Sequence, residues 1–169
     1  APFVGARPPL QPYRDAAFGV CTYPLLVLDV VRGVRRALAL GHLDYRGFDV
    51  DEYARLDRIE HGDISWIIPR KFVAFSGPLA RRREVEPGLF TLAAEDYVPV
   101  FKQLGVTCVV RFNKKCYDRR KFVDAGIRHV DLYYEDGANP TEEIMQRFLQ
   151  LCEAEPGAIA VHCKAGLGR

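Results

Sequence analysis

No two of the five cysteines, Cys21, Cys108, Cys116, Cys152 and Cys163, stand in a C-x-x-C pair, and their number is odd. Both facts argue against a secreted disulfide framework and against a structural zinc site. Reduced thiols in a cytosolic or nuclear protein are the expectation. A strong charge of either sign is also missing. Twenty-four Lys and Arg face 22 Asp and Glu, a net +2, so bulk charge gives no reason to expect a nucleic-acid or membrane partner. The longest apolar stretch, residues 23–40, is broken by Asp29, Arg32, Arg35 and Arg36 and is not expected to span a bilayer. At the start, Pro8, Pro9 and Pro12 cluster where a signal peptide would need an apolar segment. Internal repeats and low-complexity tracts are lacking too.

What remains is an ordinary globular composition, 49% hydrophobic and 27% charged over 169 residues, enough for one modest domain or one domain with part of another. Because Ala1 is not an initiator Met and Arg169 falls inside a predicted catalytic loop, the chain is expected to be a fragment.

Residues 25–40, opened by Pro24 and stopped at Gly41, carry apolar Val27, Val31, Val34 and Leu38 at helical spacing. Residues 49–60 read as a second helix, with Tyr53, Leu56 and Ile59 three apart, and as a connector. From Ile64, ISWII and KFVAF are β-rich runs either side of Pro69, and residues 79–88 read as a solvated loop. Beyond them helix-like and strand-like segments alternate: helices over 94–104, 120–125 and 141–153, strands over 106–112, 127–134 and 158–162. Asn139-Pro140-Thr141-Glu142 predicts an N-cap, a Pro at the first helical position and a carboxylate at N3 for the last helix. Alternation of this kind predicts an α/β fold with a largely parallel sheet.

The strongest chemical signal is His162-Cys163-Lys164-Ala165-Gly166-Leu167-Gly168-Arg169, directly after a buried-looking strand. Ligands of open α/β sheets sit at the carboxyl ends of strands. Gly166 and Gly168 permit unusual backbone angles, so successive N–H groups can converge on one anion, and the planar Arg169 guanidinium can grip two phosphate oxygens. The same donors favour the thiolate of Cys163. A cysteine nucleophile attacking phosphorus, with no metal or cofactor, is the predicted chemistry, and His162 is expected either to orient the loop through local hydrogen bonds or to carry a proton. An acid is needed for the leaving oxygen. Asp136, in Tyr133-Tyr134-Glu135-Asp136-Gly137 at the end of the preceding strand, is the expected donor, whereas Glu135 should point away and Asp131 sits too early. Cys21, Cys108 and Cys152 read as small hydrophobes, and no partner is evident for His42, His61 or His129.

The 162–169 run resembles the signature of the cysteine-dependent tyrosine and dual-specificity phosphatases, in detail the cell-division-cycle-fourteen group. Residues 15–21, 48–53, 66–69, 75–78, 109–115 and 134–137 are similar to that group as well, so the likeness covers nearly the whole chain. It implies two tandem domains of cysteine-dependent phosphatase fold: residues 1–46 as the tail of a non-catalytic domain, 47–61 as a linker helix, and 62–169 as an incomplete catalytic domain. It also implies removal of phosphate from phosphoserine followed by proline, with a basic residue further along read by an acidic groove, in late mitosis. Nuclear and cytoplasmic residence follows by the same likeness, with nucleolus, centrosome or spindle as more particular addresses. Asp57 and Glu60, three apart on one predicted helical face with Asp63 beyond, suit such a groove, although Ala54 departs from the group's pattern. Residues 1–169 alone are expected to be unstable and weakly active, lacking a helix behind the loop. Two alternatives stay open: a tyrosine or lipid phosphatase of the same cysteine-loop class, and a phosphoprotein-binding scaffold.

Overall fold

The computed structural model describes residues 11–14, 20, 21 and 24–169, and the chain divides into two units, Ala1–Phe48 and Asp49–Arg169. Residues 15–19 of the similar run 15–21, and most of the proline-rich start, lie outside the described residues. In the first unit, helix α1 (Val27–Ala39) has the Leu26 N–H donating to the Asp29 carboxylate at 3.0 Å and ends at Gly41, whose φ is 70°. Pro24 therefore precedes the helix instead of sitting in its first turn. None of its residues is buried. No helix among the described residues is long and apolar enough to cross a membrane.

The second unit opens with α2 (Val50–Leu56), capped by Asp49, whose carboxylate accepts the Glu52 N–H at 2.8 Å. The expected helix over 49–60 is shorter than predicted. Leu56 is buried in the core, Asp57 closes the helix, and a separate 3-10 turn, Ile59–His61, runs into Gly62 and Asp63, both at positive φ. Strands β1 (Ile64–Ile68) and β2 (Phe72–Phe75) form an antiparallel hairpin turned at Pro69 and Arg70. Residues 79–88 are not all loop: β3 (Glu84–Glu86) pairs with β4 (Leu89–Phe90) in a small exposed ribbon.

Then come α3 (Ala94–Gln103), β5 (Val106–Arg111), α4 (Arg120–Val123), β6 (Arg128–Asp131), α5 (Glu142–Ala154) and β7 (Ala158–His162). The N-cap of α5 is Thr141, whose hydroxyl accepts the Ile144 N–H at 3.3 Å, so Asn139 and Pro140 lie ahead of the helix. The main sheet has the order β1-β2-β7-β5-β6, parallel throughout except for the β1–β2 pair. Parallel strands buried on both faces read as nearly unbroken apolar runs, which suits VTCVVR and AIAVH. One face packs Phe75, Tyr97, Phe101, Val109, Phe122 and Ala160; the other packs Val110, Phe112, Leu151, Cys152 and Ile159.

Strand register places one row at the carboxyl edge of the sheet. Phe75 pairs with His162, His162 with Arg111, and Arg111 with Asp131. This row lies directly beneath the loop that follows β7.

Candidate active site

β7 ends at His162, and the next residue, Cys163, is buried at the start of a loop whose Lys164, Ala165, Leu167 and Gly168 are exposed. Burial pushes the Cys163 thiol up, but the backbone N–H groups of Arg169, Gly166, Leu167 and Ala165 converge on the sulfur and outweigh it, holding the pKa below the ordinary thiol value. Cys108, buried without such donors, shows the opposite: desolvation leads and its pKa is pushed up to about 12. The pKa values of these two buried cysteines thus move in opposite directions because of where amide hydrogens point.

Gly166 holds the curve of the loop with φ of 74°, and a side chain there would collide with the Phe75 carbonyl. Gly168 needs no such angle and its Cβ would meet open space, so only one of the two glycines has the conformational role that the sequence suggests. The loop docks on the end of β2: Gly77 N–H donates to the Lys164 carbonyl at 3.0 Å, and a side chain at Gly77 would strike the Cys163 carbonyl. His162 is 1% exposed, and its Nδ1 lies 2.8 Å from the Cys163 carbonyl. Burial, ahead of the other influences, pushes its pKa down to about 4, so the ring is neutral near pH 7.

Arg169 turns its guanidinium back across the loop. Its Nη1 donates to the Tyr134 carbonyl at 3.1 Å, and Nη2 stands 3.5 Å from an Asp136 carboxylate oxygen. Nε has no partner among the described residues. The Nε–Nη2 edge, the side-on fork that suits two oxygens of one anion, is therefore committed only to the long Asp136 contact. Asp136 itself is mostly exposed and lies five residues past the end of β6, in a turn made by Gly137 at φ 72°. It is not at a strand end, and β5 lies between β6 and β7 in the sheet. The chain still reaches the site because Leu132 and Tyr134 continue bonding to the Arg111 and Phe112 carbonyls beyond β6. Glu135 turns aside and accepts from the Tyr133 hydroxyl, while Asp131 pairs with Arg111 at 2.6 Å.

The acidic residues ahead of β1 are arranged otherwise than on one helical face. Asp57 closes α2, whereas Glu60 lies in the following turn and pairs with Arg58 at 3.0 Å. Asp63 is the closer companion of Asp57: burial first, and the Asp57 charge second, raise its pKa.

Three residues of the site are given no role by the sequence reading. Tyr134 sits in the quoted run beside Asp136 and orders Arg169. Tyr117 and His129, far apart in sequence, meet under His162: the Tyr117 hydroxyl lies 2.8 Å from His129 Nε2 and 2.7 Å from His162 Nε2. No local motif signals that meeting, because it depends on strand register. Among the described residues no group of three or more His, Cys, Asp or Glu is arranged to hold a metal ion.

A family model described as polymorphic toxin system, DSP-PTPase phosphatase (Tc-R-P) matches residues 85–169, half of the chain. The chain belongs to the dual-specificity phosphatases. Within that family it is 52% identical over 165 residues to dual specificity protein phosphatase CDC14A of Homo sapiens, covering 98% of this chain and 28% of that protein. To tyrosine-protein phosphatase cdc-14 of Caenorhabditis elegans it is 45% identical over 157 residues, covering 93% of this chain and 22% of that protein. The chain thus spans about a quarter of the length of these two curated relatives. Among solved structures, P. aeruginosa TpbA has a TM-score of 0.44 at 23% identity, over 62% of this chain and 55% of that one. The expected cysteine-dependent phosphatase fold and the likeness to the cell-division-cycle-fourteen group both hold.

Proposed function

We propose that this dual-specificity phosphatase domain hydrolyses phosphate monoesters of proteins through Cys163. The observation that carries the reading is the convergence of four backbone N–H groups on a buried sulfur, with the Arg169 fork beside it. In the first step the Cys163 thiolate attacks phosphorus in line, the S–P bond forms and the bond to the leaving oxygen breaks. Amides of residues 164–169 and Arg169 hold the equatorial oxygens, and Asp136 gives its proton to the leaving oxygen. In the second, Asp136 takes a proton from water as the water attacks phosphorus. The S–P bond breaks, releasing inorganic phosphate and restoring the thiolate.

For substrate choice we propose phosphoserine followed by proline, with a basic residue further along drawn to the Asp57–Asp63 pair. The two carboxyls share one local field, which supports this, while the Arg58 partner of Glu60 makes Glu60 the weaker contributor. Full-length protein assayed on phosphoserine-proline peptides, phosphotyrosine peptides and phosphoinositides tests both proposals. Cys163→Ser is expected to bind phosphopeptide and release no phosphate. Wild-type binding without turnover on any ester would favour a scaffold, and preferential release from phosphoinositides would favour a lipid phosphatase.

A further inference from the structure

Beneath the loop lies a buried polar chain whose proton positions follow from the geometry. A backbone carbonyl only accepts, so His162 Nδ1 must carry the proton that it shares with the Cys163 carbonyl at 2.8 Å. His162 is neutral, so its Nε2 offers a lone pair, and the Tyr117 hydroxyl, 2.7 Å away, must donate to it. Having used its one proton, the Tyr117 oxygen accepts from His129 Nε2 at 2.8 Å. That leaves His129 Nδ1 as a bare lone pair, and this atom is indeed buried without a partner among the described residues. All the hydrogen bonds therefore point one way, from His129 through Tyr117 and His162 to the peptide carbonyl of Cys163. Tyr117 in turn is pinned by Arg111, whose guanidinium lies 4.5 Å over its ring and donates to its backbone carbonyl at 3.0 Å, with Asp131 holding Nε of Arg111 at 2.6 Å.

We infer that Tyr117 and His129 are positioning residues that set the reactivity of Cys163 by locking the peptide plane between Cys163 and Lys164. This inference rests on the proposed role of Cys163. With the carbonyl tied down on the His162 side, the amides that follow are turned back toward the sulfur. Released, the same plane can rotate and the convergence of N–H groups loosens. A chain of donors in a low-dielectric interior also strengthens its last bond. The charged and titratable groups facing these rings are Arg111 from β5, Cys116 in the loop after it, Arg119 ahead of α4 and Asp131 from β6; the sulfur also faces Tyr134 and Arg169.

The test uses full-length protein and iodoacetate, with carboxymethylation followed against pH on the Cys163-containing peptide by mass spectrometry, so that exposed Cys116 does not contribute. Tyr117→Phe keeps the ring and loses only the hydroxyl. The expected result is an inflection raised by about half to one pH unit and a kcat on an aryl phosphate lowered about ten-fold with KM little changed. His129→Gln, whose amide N–H can donate from the place of Nε2, is expected to keep the wild-type inflection, and His129→Leu to raise it. An ordinary thiol inflection in the wild type would overturn the role of Cys163 itself. A low wild-type inflection left unmoved in Tyr117→Phe would overturn the relay alone. Should Tyr117→Phe not fold, equal inflections in the two His129 variants would do the same.

Discussion

Tyr134 and Arg169 hold each other by a reciprocal pair of hydrogen bonds: the Tyr134 hydroxyl donates to the Arg169 carbonyl at 2.5 Å, and Arg169 Nη1 donates to the Tyr134 carbonyl at 3.1 Å. The segment that carries Asp136 is thereby fastened to the residue proposed to grip phosphate.

Tyr134→Phe removes one half of that pair and leaves the ring tilted against Phe112, with centroids 5.6 Å apart. Losing the hydrogen bond that holds the Arg169 backbone carbonyl, and through it the position of the buried guanidinium, costs on the order of 1 kcal/mol, so kcat/KM on an aryl phosphate should fall about ten-fold. With the fork gripping phosphate as proposed, the inhibition constant for inorganic phosphate should rise in step. Unchanged phosphate inhibition would detach Tyr134 from Arg169.

The two loop glycines should separate cleanly on substitution. Gly166→Ala forces a side chain into the left-handed region and against the Phe75 carbonyl, whereas Gly168→Ala meets neither obstacle. The first should displace the loop, costing about 1–3 kcal/mol in stability and roughly a hundred-fold in turnover. The second should stay within a few-fold of wild type on both. Urea unfolding and aryl phosphate turnover, run on the same preparations, decide it; equal effects at both positions would contradict the loop geometry.

That contrast also shows what was legible in the primary structure. His162, Cys163 and Arg169 could be read because their relation is local, one strand running into one loop, and the alternation of helix-like and strand-like segments sufficed for the parallel sheet. What depends on register could not be read. His129 seemed partnerless, yet it meets Tyr117 only because β6 lies beside β5 and Arg111 aligns with both His162 and Asp131. Asp57 and Glu60 looked like one helical face because their spacing is helical, and burial of Leu56 with the turn at Gly62 broke that face apart.

Stability should fall in mild acid for a definite reason. Burial lowers the pKa of both His129 and His162 from 6.5 to about 4, so the folded state binds fewer protons than the unfolded chain between these values. Their contribution is complete above pH 6.5 and is lost as pH falls toward 4. At pH 5 each ring should have given up about 2 kcal/mol, less whatever their coupling through Tyr117 removes. Urea midpoints at pH 7 and pH 5 measure this, and His129→Gln should lose a substantial part of the difference. A midpoint unchanged between the two pH values would mean that the rings are not held neutral.

The role of Asp136 predicts a dependence on the leaving group. Its side chain is mostly exposed and touches Arg169 only at 3.5 Å, so Asp136→Asn should leave folding and the Cys163 loop intact. An alkyl phosphate expels a poor leaving group and needs the proton; an aryl phosphate needs it less. Loss of a general acid typically costs 10²–10⁴-fold, so Asp136→Asn should lose about that much on a phosphoserine peptide and much less on an activated aryl ester. In the wild type the rate should rise as Cys163 ionises, below the ordinary thiol range, and Asp136→Asn should keep that rising limb. Ordinary turnover of phosphoserine peptide by Asp136→Asn would exclude this carboxyl, and the acid would then have to be sought elsewhere on the rim of the site.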